Sequence, residues 1–116
     1  MTDREATVRR YYDGVDAEDY EAVFELFADD VTYHRPGQPA IEGMADFRSF
    51  YLEGRPLEDG EHVVHDVVVD GNTVAVRGTF AGVQDGEEVS FGFADVHEFD
   101  GDRIVRRWTY TDRDEV

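Results

Sequence analysis

The ten residues Ser90-Phe91-Gly92-Phe93-Ala94-Asp95-Val96-His97-Glu98-Phe99 alternate between bulky side chains and small or polar ones, with one acid in the bulky set. Successive side chains of a β-strand point to opposite faces of its sheet, so this period of two predicts a strand. The bulky set is Phe91, Phe93, Asp95, His97 and Phe99. The stretch therefore predicts a sheet with an aromatic inner face that contains a single carboxyl group.

Three further strand-like runs surround this stretch, near residues 62–69, 73–83 and 103–111, and the stretch itself extends over 87–99. The segments that separate the four runs are hairpin turn signals: Asp70-Gly71-Asn72, Asp85-Gly86 and Asp100-Gly101-Asp102. The second half of the chain therefore predicts an antiparallel meander.

The first half has apolar side chains at helical spacing in three segments. The first segment ends near Gly14 and Asp16, the second stops at Asp29-Asp30, and the third lies between Gly43 and Gly54. A short strand over 31–35 runs into the breaker Pro36-Gly37. Helices followed by a meander predict one α+β domain over residues 1–116, with three N-terminal helices packed on a curved, mainly antiparallel sheet.

The charge is strongly acidic: 28 Asp and Glu oppose 11 basic residues, all Arg, for a formal net charge of −17. Phosphate binding needs a basic surface, so we expect neither nucleic acids nor anionic membranes as partners. We interpret the acidity as adaptation to the salt-rich cytoplasm of a halophilic archaeon, where salt screens the repulsion between the acids. A merely acidic protein is the alternative. The chain has no Cys and no run of about 18 apolar residues, which favours a cytoplasmic protein.

The acid on the aromatic face, Asp95, has two interpretations. Burial disfavours the ionised carboxyl and is expected to raise its pKa, which keeps the acid protonated as a hydrogen-bond donor. Alternatively, Asp95 pairs with an inward arginine such as Arg35 or Arg107 and holds the sheet together.

Other polar residues break the apolar pattern less clearly. His34 and Arg35 lie where a strand enters a Pro-Gly turn, a position that commonly lines a cleft, and only one of two neighbours can face inward. His62 and His65 are three residues apart on a strand and face opposite ways, so no metal site is expected. With no phosphate loop, no Lys and no nucleophile elbow, the sequence also predicts no cofactor.

The order of elements and several strings resemble the nuclear transport factor 2-like superfamily, in its branch of SnoaL-like and ketosteroid isomerase-like domains. The strings are Arg10-Tyr11, Leu26-Phe27-Ala28-Asp29-Asp30, Glu42-Gly43 and Phe93-Ala94-Asp95. The resemblance implies a cone of curved sheet over three helices, an apolar pocket for a small molecule in its mouth, and homodimers through the outer sheet face.

The resemblance also implies site residues. Tyr11 falls at the oxyanion-hole tyrosine of ketosteroid isomerases and Asp95 at their protonated aspartic acid, a case in which an apolar site keeps a carboxyl neutral. Their aspartate base is replaced here by Arg35, which cannot accept a proton. His97 is then the best remaining base and His34 the second.

The expected function is cofactor-independent proton transfer of isomerase, cyclase or hydrolase type on a small carbonyl-containing molecule. Tyr11, Asp95 and His97 are the catalytic candidates, and four residues are expected to line the pocket: His34, Arg35, Phe93 and Arg107. A non-catalytic module of the same fold, which binds a small molecule or dimerises around a closed core, is the alternative.

The last strand leaves one question open. Regular alternation puts Ile104, Arg106, Trp108 and Tyr110 on one face and Val105, Arg107, Thr109 and Thr111 on the other. The resemblance places the second set inside, which leaves the two aromatic side chains on the outer face for a dimer interface.

Overall fold

The structure is a computed structural model that describes residues 4–35, 37–54, 57–84 and 86–112. The predicted turn residue Asp85 and the breaker Pro36 lie outside these ranges. The helical elements are α1 (Arg4–Asp16), α2 (Tyr20–Phe24) and α3 (Met44–Ser49), and a π-helical turn over Phe50–Gly54 continues α3. The strands are β1 (Phe27–His34), β2 (Ile41–Glu42), β3 (Leu57–Asp70), β4 (Thr73–Gln84), β5 (Glu87–Asp100) and β6 (Arg103–Thr111).

The strands form a single six-stranded sheet in the order β2-β1-β6-β5-β4-β3. Every neighbouring pair is antiparallel except β1 and β6, which run parallel. The predicted α+β class and the predicted meander are therefore confirmed. Strand β2, which pairs with β1 through Glu42 and Ile41, adds an edge that the sequence pattern did not indicate.

The second helix is shorter than its apolar spacing predicted. Helix α2 ends at Phe24, and β1 begins at Phe27, four residues before the predicted strand. Phe27 is paired with Ile104 of β6, and the Ile104 amide donates to the Leu26 carbonyl at 2.9 Å. Pairing with a distant strand thus replaces the helical turn that local spacing favours, because tertiary contacts override weak propensity.

The helices cover one face of the sheet. The space between the helices and this face is called the cone interior here. Strand β5 faces this interior with the set that the alternation predicted: Phe91, Phe93, Asp95, His97 and Phe99 are buried, while Ser90 and Ala94 are exposed. Helix α1 contributes Val8, Tyr11, Tyr12 and Val15 to the same core. Because one face of β5 is so thoroughly apolar, its register is fixed and Asp95 is forced inside.

Strand β6 contains a β-bulge that decides which of its side chains face the cone interior. Glu98 of β5 lies opposite Arg106, whereas the next residue, Phe99, lies opposite Ile104, so Val105 is the additional residue. A bulge lets two residues oppose one and reverses the alternation beyond it. Ile104 and Arg107 are therefore both buried, although regular alternation places them on opposite faces.

No helix within the described residues is long and apolar enough to cross a membrane.

Candidate functional site

Four polar side chains meet inside the cone and are called the Asp95 cluster: Tyr12 from α1, Asp95 and His97 from β5, and Arg107 from β6. Their relative exposures are between 0% and 3%. The β5–β6 register places His97 opposite Arg107, and α1 lays Tyr12 across both strands. The cluster is thus assembled from three elements that are far apart in the sequence.

Asp95 is the acceptor at the centre of the cluster. Arg107 Nη2 donates to Asp95 Oδ2 at 2.8 Å, and the Tyr12 hydroxyl donates to the same oxygen at 2.6 Å. Burial alone would raise the pKa of the carboxyl, but the Arg107 guanidinium and the Tyr12 hydrogen bond lower the pKa of Asp95 below its usual value. The predicted rise of this pKa is wrong, because an ionised partner stands beside the acid.

Arg107 is the arginine that pairs with Asp95, one of the two that the alternative interpretation named. Its guanidinium lies 4.4 Å from the centroid of the Tyr11 ring and 4.5 Å from that of the Tyr33 ring, within the range of cation–π interactions. Although burial opposes its charge, the Asp95 carboxylate holds the pKa of Arg107 well above its ordinary value. Arg107 is therefore a buried permanent cation with aromatic walls.

His97 is a fully buried neutral imidazole. Burial and the nearby Arg107 charge lower its pKa to about 3. Its Nε2 lies 3.2 Å from the Tyr12 hydroxyl, whose single proton goes to the Asp95 carboxylate. Nε2 must then carry the proton and donate to the Tyr12 oxygen, which leaves a lone pair on Nδ1.

The hydroxyl of Tyr11 takes a different direction from the one expected. It is 2.5 Å from the Tyr51 hydroxyl, and the ring packs edge-on against His97 with centroids 6.0 Å apart. The tyrosine that contacts Asp95 is the adjacent Tyr12. Because neighbours on a helix point about 100° apart, only the register of α1 on the sheet decides which of the two reaches the acid.

The four residues expected to line a pocket lie in different parts of the structure. Phe93 and Arg107 are in the cone interior, with the Phe93 ring 5.7 Å from that of Tyr12. His34 is on the outer face, stacked on Trp108 at 5.5 Å with an interplanar angle of 8°. The prediction that His34 lines the interior pocket is wrong, because it alternates with the inward Tyr33.

Arg35 is near the rim. Its guanidinium stacks over the Phe50 ring at 4.2 Å, so it does not occupy the place beside Asp95 that Arg107 holds. Together with His34, Trp108 and Tyr110, it lines a depression of about 310 Å³ on the outer side of the sheet.

Sequence reasoning missed two functional candidates. One is Tyr12, because a tyrosine at helical spacing is equally typical of core packing. The other is a pair formed by Asp16 at the end of α1 and His62 on β3, whose Oδ1 and Nδ1 atoms are 2.6 Å apart. No sequence pattern connects residues 46 positions apart. His65 is exposed, whereas His62 is half-buried. In the part of the chain that the structure describes, no group of three or more His, Asp and Glu side chains is arranged to hold a metal ion.

Four polar atoms of the Asp95 cluster have no hydrogen-bond partner among the described residues: Asp95 Oδ1, His97 Nδ1, Arg107 Nε and Arg107 Nη1. Buried polar atoms are nearly always hydrogen-bonded in folded proteins. The cluster therefore offers two guanidinium nitrogens as donors, and one imidazole nitrogen and one carboxylate oxygen as acceptors, within an otherwise apolar interior. Fold and site together define a small α+β domain with a buried, charged polar cluster inside a curved sheet.

The family model of the SnoaL-like domain matches residues 8–107, and the chain belongs to this family. A candidate SnoaL-like polyketide cyclase from Jannaschia sp. CCS1 is 20% identical, with 94% of this chain and 85% of that chain covered and a TM-score of 0.83. An NTF2-like protein of unknown function from Burkholderia pseudomallei is 20% identical over 97% and 92%, with a TM-score of 0.87. An LEH-like epoxide hydrolase from M. tuberculosis is 24% identical over 92% and 80%, with a TM-score of 0.82. At these identities the similarity establishes the fold.

Proposed function

We propose that the chain binds a small, largely apolar molecule in the cone interior and recognises a carbonyl oxygen through Arg107. The observation that carries this proposal is the pair of guanidinium donors, Nε and Nη1, that are buried without an acceptor among the described residues. An unpaired buried donor costs about 1–3 kcal/mol, more when the group is charged, and a carbonyl acceptor recovers that cost. The aromatic walls of Tyr11 and Tyr33 suit an apolar molecule.

The ion pair between Asp95 and Arg107 favours a binding function over a catalytic one. An ionised Asp95 cannot donate the hydrogen bond that a protonated acid would give to an oxyanion. His97, with a pKa of about 3, is also a weak base at neutral pH, whereas an efficient general base has a pKa near the working pH. Both features fit a polar cluster that is built to hold a molecule.

Proton transfer on a carbonyl-containing molecule is the second candidate, and the lone pair on His97 Nδ1 is the observation that favours it. In this proposal His97 accepts a proton α to the carbonyl, while Arg107 and Tyr11 stabilise the oxyanion and Asp95 holds Arg107 and Tyr12 in place. Each stabilising group contributes on the order of 10²–10³-fold in rate.

The experiment that tests both candidates uses acetophenone and cyclohexanone as probes in multimolar KCl. Binding is followed by protein NMR, and loss of the α-C–H signals in D₂O reports proton transfer. We expect Arg107→Lys to weaken binding about tenfold, because the ammonium lacks the planar fork of the guanidinium. Arg106→Lys is the matched control, since Arg106 is adjacent, exposed and on the other face.

Equal binding to wild type and Arg107→Lys, or resonance shifts confined to the outer depression beside Trp108, would contradict the binding proposal. Exchange that is accelerated by wild type and unaffected by His97→Phe, Asp95→Asn and Tyr11→Phe would contradict the catalytic one. Circular dichroism confirms that each variant is folded before it is compared.

Two proposals concern the whole protein. Two copies are expected to associate through the outer sheet face, where Tyr110 is 58% exposed and Trp108 stacks on His34. The protein is expected to work in a salt-rich cytoplasm, since its net charge of −17 calls for screening by salt.

A further inference from the structure

Asp16 and His62 form a second polar site, separate from the Asp95 cluster. Both oxygens of the Asp16 carboxylate bind His62: Oδ2 accepts from the backbone amide at 2.8 Å, and Oδ1 lies 2.6 Å from Nδ1. A carboxylate that holds an imidazole at one ring nitrogen fixes both its orientation and its tautomer. Neutral His62 is therefore protonated at Nδ1, and its lone pair is on Nε2.

The free nitrogen of His62 is on the side of the ring away from Asp16. Within the described part of the chain, Nε2 has no hydrogen-bond partner. The His62 side chain is 10% exposed and that of Asp16 is 22% exposed, whereas His97 is completely buried. A molecule from solvent therefore has access to part of the Asp16–His62 pair, which the Asp95 cluster does not allow.

Three aromatic rings surround the His62 imidazole. The ring centroids of Phe80, Tyr12 and Phe93 are 4.8, 5.1 and 5.4 Å from it, and the two phenylalanine rings meet it edge-on. Among the described residues, no charged side chain from β4 or β5 is one of these neighbours, and Asp16 is the charged group that contacts the imidazole. Such walls favour a planar aromatic guest, because aromatic rings prefer edge-to-face and offset contacts.

Tyr12 connects this pair to the Asp95 cluster. Its ring packs against His62, while its hydroxyl donates to Asp95 at the other end of the same side chain. A molecule beside His62 is therefore only one tyrosine ring away from Arg107. Charge also restricts its class: the Asp16 carboxylate and the net charge of −17 repel an anion, so a neutral hydroxyl is the suitable partner for the Nε2 lone pair.

We propose that the Asp16–His62 pair, inside its cage of Tyr12, Phe80 and Phe93, is a recognition site for the hydroxyl group of a neutral planar aromatic molecule of the phenol class. The oriented imidazole, in its neutral form, accepts the hydroxyl hydrogen at Nε2, and Asp16 is the positioning residue that holds the ring proton on Nδ1. The proposal rests on the proposed function, in that the bound molecule is the one that the cone receives, and it adds the chemical class of that molecule.

Phenol and anisole are the probes that test this site, because they differ in the hydroxyl hydrogen. We expect wild type to bind phenol about tenfold more tightly than anisole, which is the effect of one hydrogen bond. His62→Phe keeps an aromatic ring and loses the acceptor, so its preference should vanish. His65→Phe is the matched control on the same strand, since His65 is exposed, and it should keep the wild-type preference.

A second measurement needs no ligand. Long-range ¹H–¹⁵N NMR of the ring nitrogens should find neutral His62 protonated at Nδ1 in wild type, and Asp16→Asn should weaken that tautomer preference and the preference for phenol together. Equal binding of phenol and anisole, absence of phenol binding, or a His62 ring protonated at Nε2 would overturn the proposal. The carbonyl probes report separately through Arg107→Lys, so failure at His62 is distinguishable from failure of the proposed function.

Discussion

Among the acids whose burial the structure describes, Asp95 is the one that is buried. Its carboxylate holds Arg107 and Tyr12, and these in turn fix His97. Removal of one member of a buried ion pair typically costs 3–5 kcal/mol, because the other charge is then uncompensated. At the scale of single residues, the cluster therefore couples the stability of the fold to the protonation of its members.

The low pKa of His97 predicts a loss of stability in mild acid. The unfolded chain protonates this imidazole near its usual pKa of 6.5, whereas the folded protein does so only near 3. The unfolded state binds more protons between these values, so the free energy of unfolding falls as the pH is lowered through this window, by about 5 kcal/mol in total. Between pH 7 and pH 4.5 the share of His97 is about 3 kcal/mol.

Urea unfolding at these two pH values, in constant KCl, measures this effect. His97→Phe should flatten the dependence, and His65→Gln should leave it unchanged, because His65 is exposed in both the folded and the unfolded chain. A His97 resonance that titrates near pH 6.5 in the folded protein would contradict the prediction. Asp95, whose pKa is also lowered, adds a loss of the same sign at still lower pH.

Strand β6 is the element whose geometry decides which side chains lie on the inner face of the sheet and which lie on the outer face. Its bulge at Val105 permits Ile104 and Arg107 to face the interior together, and the residues after it alternate regularly. Trp108 and Tyr110 are consequently on the outer face, where the resemblance to the family placed them. Trp108 is half-buried and Tyr110 is exposed, and aromatic side chains on a surface are enriched in interfaces between protein chains.

The aromatic side chains on the outer face of the sheet predict that the chain forms a dimer, and that a single charge introduced on this face disrupts the dimer. Light scattering in KCl should give twice the mass of the chain for wild type and the mass of one chain for Tyr110→Asp, because the carboxylate would be desolvated in the interface. Leu52→Asp is the matched control: Leu52 is 54% exposed but belongs to the π-helical turn, away from the sheet. A wild-type monomer at high concentration would refute the expected association.

For the whole molecule, the density of acidic residues on the surface determines how strongly their repulsion destabilises the fold. The accessible surface is 6412 Å², so the 28 acids have a mean spacing on the order of 15 Å. Exposed Arg9, Arg48, Arg77 and Arg106 each pair with one acid, at Glu5, Glu21, Asp66 and Glu98. Most of the repulsion must then be relieved by the solvent, because surface pairs contribute little individually.

Stability should therefore increase with salt. Between dilute buffer and multimolar KCl we expect the free energy of unfolding to rise by about 2 kcal/mol or more, which is roughly 8–16 °C in melting temperature for a domain of this size. A variant with several exposed acids changed to Asn or Gln, away from Asp16 and Asp95, should show a smaller rise. Equal stability of wild type at both salt concentrations would contradict the interpretation of the charge.

The sequence by itself determined the class of fold and the inner face of β5. Strong alternation between turn signals identified the four long strands, since a one-residue slip of β5 would expose its whole aromatic set. It also indicated that Asp95 is inside. These features depend on contacts between near neighbours in the chain, which is the information that periodicity carries.

Only the tertiary structure decided which partners Asp95 has, and hence its charge. The choice between Arg35 and Arg107 depends on the β5–β6 register and on the bulge at Val105, and the choice between Tyr11 and Tyr12 depends on how α1 lies on the sheet. The Asp16–His62 pair joins residues 46 positions apart. A pKa follows from the charges within a few ångströms, and those neighbours are set by long-range packing that no local pattern encodes.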